Sequence, residues 1–203
     1  MPNRNSVIIT RPTECELCDQ GYLGLQPLVD VARELGLDVT DCGDEMDNEE
    51  TVEQALEYVD PMLFIGFGHG LPDVFTGQYL YPVIMACEND QYLAGRVVYM
   101  LSCYVAEDLG LSMVQKGAIA FVGYNAPWTW VSETGTGDPY LDRYARGFWE
   151  AGVGLGMALV HGYTVQDAMQ FCVAKHKYWF DYWSHSGDDW AAECMKWHLW
   201  NME

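Results

Sequence analysis

The chain has 203 residues, half of them apolar and 14% aromatic, which supports one well-buried core, is short for two, and excludes the disordered class. Thirty acidic residues against ten Lys and Arg give a net charge of −20. That field repels phosphate backbones, so nucleic acid is not an expected partner, while cations and basic peptides are favoured; a solvated acidic surface with no binding role is the plainer reading of the same excess.

In chain order, residues 7–10 read as a short buried strand and residues 11–21 as a polar loop. The stretch before them holds one Arg and too little apolar sequence for a signal peptide. Leu25, Leu28, Val29, Ala32 and Leu35 then recur at helical spacing, with Gly36 as the stop. Residues 37–40 resemble a second strand, and Asp47 or Asn48 is placed to cap a helix that carries Val52, Ala55, Leu56 and Val59 on one stripe. The apolar run 62–67 is closed by Gly68-His69-Gly70, and the run 96–102 is closed by Cys103. A helix over about residues 106–116 stops at Gly117, and residues 118–123 form a fifth strand.

Residues 125–137 read as a long loop. Asp138-Pro139 has the form of a capping side chain followed by proline at the first helical position, with Leu141, Tyr144, Ala145 and Phe148 as the buried stripe of the helix it would start. A last helix starts at Thr164, where Thr-Val-Gln-Asp resembles a capping box. Strands separated by helices predict an α/β domain over residues 1–203: a three-layer α/β/α sandwich around a mostly parallel central sheet.

The glycines at 152, 154 and 156 do not sit between a strand and its following helix, so they are read as a tight turn or close helix packing and not as a dinucleotide fingerprint. The C-terminal tryptophans 179, 183, 190, 197 and 200 are read as core or subunit interface. No apolar stretch approaches the roughly 20 residues of a membrane span, so a soluble, cytoplasmic protein with no membrane partner is expected. Its seven cysteines are then reduced thiols. Cys15 and Cys18 form a lone CxxC, which would need Cys42 and a distant His to complete a zinc site. Its plainest reading is an ordinary loop. No calcium loop and no Gly-x-Ser-x-Gly elbow is present, and no metal or cofactor is expected.

In an open parallel sheet, ligands gather at the carboxyl ends of strands, where loops converge and helix amides point inward. His69 and Cys103 both sit at such ends. A thiol with a free pKa of about 8.5 needs an imidazole or a positive dipole to react at neutral pH. Gly68 and Gly70 let the backbone approach a substrate closely, with the Gly70 amide available to an oxyanion.

Phe-Ile-Gly-Phe-Gly-His-Gly, Val-Val-Tyr-Met-Leu-Ser-Cys, Gly-Ala-Ile-Ala-Phe-Val-Gly-Tyr and the later Ala-Leu-Val-His-Gly-Tyr-Thr-Val-Gln-Asp-Ala-Met together resemble the caspase-fold (clan CD) cysteine peptidases, closest to the gingipain-type and CHAT-type branches, over residues 62–177. The His-before-Cys order is that of this group. The resemblance implies a thiol protease in which Cys103 attacks a peptide carbonyl, His69 moves the protons, and the amides of Gly70 and Cys103 form the oxyanion hole. Tyr104-Val105 stand where many relatives have small residues, and would narrow the site or cover the thiol.

The resemblance further implies that the loops after the first and last core strands line the substrate pocket. An acid among Glu14, Glu16 and Asp19, or Asp73 after the His, would select Arg or Lys; Arg11 would suit an acidic side chain instead. Each acid also has a reading as solvated surface. Trp128 and Trp130 are candidate pocket walls or plugs at the sheet edge. The expected partner is a peptide or protein substrate, with a homo-oligomer left open. The rival readings are a non-catalytic caspase-like scaffold and another hydrolase on a doubly wound sheet.

Overall fold

The computed structural model describes residues 2–14, 16–133 and 137–203. Five parallel strands, β1 (Asn3–Arg11), β2 (Asp38–Gly43), β3 (Pro61–Phe67), β7 (Val97–Leu101) and β8 (Ala120–Val122), form a sheet in the order β2-β1-β3-β7-β8. Three short strands, β4 (Gly70–Leu71), β5 (Val74–Thr76) and β6 (Pro82–Met85), make a separate antiparallel sheet between β3 and β7. Their runs are too short to carry a period, which is why sequence patterning assigns them no element.

Alternation along the strands divides the core in two. Val7, Ile9, Ile65 and Leu101 face one side and pack on α1 (Glu16–Glu34), α4 (Ala145–Val160) and α5 (Val165–Ser186). Ile8, Phe64, Val98 and Met100 face the other, against α2 (Glu49–Tyr58) and α3 (Asp108–Gln115). This is the three-layer sandwich the sequence predicts. Asn48 caps α2 by accepting the Thr51 amide, and Thr164 caps α5 by accepting that of Asp167. Gly117 follows α3 at φ +104.

Three expectations are corrected. The segment 16–21 is helical and not loop; a Cβ on Gly21 would stand 1.8 Å from the Phe67 ring and one on Gly24 2.3 Å from Trp149. These glycines let α1 lie against aromatic rings. Asp138-Pro139 does not start a helix; Asp138 makes a local turn by accepting the Tyr140 amide. The carboxylate that organises the start of α4 is Asp142, whose Oδ1 accepts the amides of Tyr144 and Ala145 and whose Oδ2 accepts the Ser132 hydroxyl and the Glu133 amide. Leu141 is accordingly 86% exposed and outside the core.

The helix from Thr164 is also not the last. Gly187, at φ +79, ends α5 and leads into α6 (Asp189–Asn201). Trp179 and Trp183 are buried with Phe148 and Met195, whereas Trp190 and Trp200 are exposed. Gly152 and Gly156 lie inside α4, where Leu101 and Leu28 approach to 3.0 Å of an added Cβ; close packing is their role. Among the described residues no helix is long and apolar enough to cross a membrane.

Candidate active site

Strands β3 and β7 are neighbours, and Phe67 pairs with Leu101 at the end of their ladder. His69 and Cys103 therefore each lie two residues beyond the same paired position. Gly68 can have no side chain, because its Cβ would meet the Thr76 carbonyl at 2.2 Å. The His69 carbonyl accepts the Thr76 amide at 2.9 Å and the Thr76 hydroxyl at 3.2 Å. The small antiparallel sheet thus fixes the turn that carries the imidazole.

A Cβ on Gly70 would stand 2.4 Å from the Cys103 carbonyl and 2.4 Å from the Ser102 hydroxyl, so the His turn and the Cys turn are packed backbone on backbone. On the Cys side, Tyr104 sits in the left-handed region at φ 60, a conformation that costs an L-residue roughly 1–2 kcal/mol. The turn is held by the Tyr104 amide donating to the Ala126 carbonyl and the Ala106 amide donating to that of Tyr124. Tyr104 is partly exposed and Val105 fully buried.

Cys103 is half-buried, and its Sγ lies 3.6 Å from the Trp128 carbonyl. Burial pushes the thiol above its ordinary pKa, so it rests protonated and needs a base when it attacks.

The imidazole meets residues that the sequence places elsewhere in function. Nε2 of His69 lies 3.7 Å from Oε1 of Glu14 and 3.5 Å from Sγ of Cys18. The Cys18 thiol donates to the same Glu14 oxygen at 3.1 Å. The Glu14 side chain is 7% exposed, against 44% for His69. Behind them Asp47 is fully buried, and burial with the nearby Glu14 charge holds its carboxyl well above the usual range. Glu14, expected in the substrate pocket, is instead the carboxylate next to the imidazole. The missed signal is topological: β1 adjoins β3, so the loop after β1 must abut the turn after β3.

Arg11 is also relocated. Its guanidinium is 2% exposed, forks onto Asp41 through Nε (2.8 Å) and Nη2 (2.6 Å), donates through Nη1 to the Tyr22 carbonyl and to Gln26, and stacks over the Tyr22 ring. Four of its five N–H donors are engaged inside the protein, and it is buried away from any substrate carboxylate. Asp19, on α1, and Asp73, in the turn between β4 and β5, are exposed. The Trp128 indole is buried among Phe67, Tyr124, Trp149 and His198, so it is core and only its carbonyl meets the thiol. Trp130 is half-buried and donates to Gln20.

Cys15 and the Glu16 side chain lie outside the described residues. Cys42 is buried beneath Asp47 and Asp41, its thiol pushed up to about 12 mainly by burial, and is not part of the cluster. Among the described residues, Glu14, Cys18 and His69 are the group whose donor atoms converge closely enough to hold a metal ion.

No protein-family model matches the sequence, and no curated protein matches it. Solved structures do. The Arg-specific cysteine proteinase gingipain R (RgpB) superposes with a TM-score of 0.57 at 12% identity, over 86% of this chain and 43% of that one. The complex of the Porphyromonas gingivalis RgpB pro- and mature domains gives 0.55 at 10% identity, over 85% and 43%. This chain has the caspase-like fold of the gingipains. It spans less than half the length of either gingipain chain. Caspase-1 of Spodoptera frugiperda is a more distant match, with a TM-score of 0.47 at 14% identity over 85% of this chain and 76% of that one. On the caspase-like sheet, the turns after β3 and β7 stand side by side, and they carry His69 and Cys103.

Proposed function

We propose that the chain is a cysteine peptidase acting through Cys103 and His69. The observation that carries this reading is the pair itself: a half-buried thiol and a partly exposed imidazole, each two residues past one strand pair of a caspase-like sheet, with their turns packed on each other.

In the mechanism, His69 takes the Cys103 proton as sulfur bonds to the substrate carbonyl carbon. The carbonyl π-electrons move onto oxygen, where the Gly70 and Cys103 amides receive the charge. Collapse of the adduct breaks the C–N bond, and the imidazolium protonates the leaving amine. Water then attacks the thioester and regenerates the thiol. Because burial favours the neutral thiol, the proton transfer accompanies attack and no standing thiolate is required. Glu14, 3.7 Å from Nε2, positions the imidazole.

Cleavage after Arg or Lys is the preference we assign. Arg11 is withdrawn into its ion pair, while Asp19 and Asp73 remain exposed and the chain carries a net charge of −20. The structural neighbour described as Arg-specific supports the same choice.

The test is labelling by peptidyl electrophiles that carry Arg, Lys or Asp next to the reactive group. Labelling by the basic probes that disappears in Cys103→Ala and collapses in His69→Ala supports the reading. Equal labelling of wild type and Cys103→Ala overturns it and leaves a caspase-like binding module in its place.

A further inference from the structure

Glu14, Cys18 and His69 bring an oxygen, a sulfur and a nitrogen donor onto one point from three separate places: the loop after β1, the first turns of α1 and the turn after β3. Their separations are 3.1 Å (Glu14 Oε1 to Cys18 Sγ), 3.5 Å (Cys18 Sγ to His69 Nε2) and 3.7 Å (His69 Nε2 to Glu14 Oε1). A tetrahedral zinc ion with bonds of about 2.0–2.3 Å sets its ligands about 3.3–3.7 Å apart. The triangle is therefore close to one tetrahedral face: the sulfur–nitrogen edge fits, while the sulfur–oxygen edge must open and the nitrogen–oxygen edge close, each by a few tenths of an ångström.

A second observation points the same way. The Glu14 side chain is 7% exposed, and its Oε2 is buried with no hydrogen-bond partner among the described residues. Burying a carboxylate so incompletely satisfied is costly, and a coordinated cation removes that cost. The Cys18 thiol, 1% exposed, supplies one proton where a carboxylate and an imidazole nitrogen both face it. One divalent ion can take a donor atom from each of the three.

We propose that Glu14, Cys18 and His69 form a binding site for a borderline-soft divalent cation of the zinc class, supplying three of its ligands. Sulfur and imidazole donors select zinc over magnesium or calcium. On binding, the Cys18 S–H bond breaks, its proton leaves to solvent, and the thiolate, Nε2 and Oε1 become ligands. Occupation ties up Nε2 of His69 and so restrains the imidazole opposite Cys103. Zinc then acts as a reversible brake on that site. The brake rests on the peptidase reading; the metal binding does not.

The experiment titrates the purified, reduced chain with cobalt as a spectroscopic probe, followed by displacement with zinc. Wild type is expected to bind one ion with four-coordinate ligand-field bands and a sulfur-to-cobalt charge-transfer band. Cys18→Ser loses the sulfur band, and Glu14→Gln binds roughly tenfold more weakly or worse, each with the circular dichroism of wild type. Cys103→Ala keeps both bands. A wild type that binds no cobalt, a Cys18→Ser that binds like wild type, or a sulfur band lost in Cys103→Ala overturns the site. If the bands follow Cys18 but no electrophile labels Cys103 in metal-free protein, the peptidase reading fails and the metal site stands. If Cys103 does label, stoichiometric zinc is expected to slow it in wild type and not in Cys18→Ser.

Discussion

Oε1 of Glu14 stands 3.7 Å from Nε2 of His69, across the junction of two neighbouring strands whose sequence positions are far apart. A nearly buried carboxylate beside a half-exposed imidazole is placed to hold the ring in one orientation. Glu14→Gln keeps the shape and removes the charge. In metal-free protein it is expected to slow electrophile labelling of Cys103 by about tenfold or more while leaving the preference among probes unchanged. Labelling at the wild-type rate would show that Glu14 does not act through His69.

Arg11 and Asp41 form a buried fork that joins the ends of β1 and β2. Removing one partner of such a pair leaves an uncompensated charge and costs about 3–5 kcal/mol. Arg11→Ala is therefore expected to lose stability on that scale by chemical denaturation, and Arg11→Lys to lose less but still measurably, because an ammonium cannot make the fork. Neither should alter the choice between basic and acidic probes. A switch of probe preference in Arg11→Lys would return Arg11 to the pocket.

Gly70 meets the peptide of Cys103 with no room between them: an added Cβ would stand 2.4 Å from a carbonyl oxygen, and backbone cannot swing away as a side chain can. Gly70→Ala should force the two turns apart. The expected result is a destabilisation of about 1–3 kcal/mol with a larger loss in Cys103 labelling rate than the residual folded fraction explains. Labelling that merely tracks the folded fraction would show that this packing does not position the thiol.

His176 and His198 are fully buried with their rings 5.8 Å apart. Burial lowers them to about 4 and about 3, from 6.5. Their native pKa values are below the unfolded value, so the unfolded state binds more protons. Stability is then full above pH 6.5 and falls as pH drops from there toward 4 and 3. By about pH 5 the loss is on the order of 2 kcal/mol for each ring. Denaturation at about pH 7.5 and about pH 5 checks this. His198→Phe should flatten the dependence, and an unchanged pH slope in that variant would contradict the assignment.

The local elements were legible because their signals are local. Apolar residues at helical spacing mark α1, α2 and α5, the capping side chains of Asn48 and Thr164 start their helices, and two apolar runs each end in a chemically useful residue, His69 and Cys103. Reading failed where a residue type had two uses. The polar run up to Gly21 read as a loop, yet residues 16–21 are helical and Gly21 lets the helix approach an aromatic ring; Asp138-Pro139 had the form of a helix start, yet the carboxylate bonded at the start of α4 is Asp142.

The sequence by itself determined a layered α/β domain and the two residues at its strand ends, since periodicity and punctuation depend on near neighbours in the chain. Only the tertiary structure decided what surrounds those residues. That β1 lies beside β3 and β3 beside β7 sets Glu14 and Cys18 against the imidazole, turns Arg11 inward to Asp41, and leaves the thiol against the Trp128 carbonyl. Strand order comes from packing two apolar faces of one sheet under helices, a global balance of burial that no short window of residues contains.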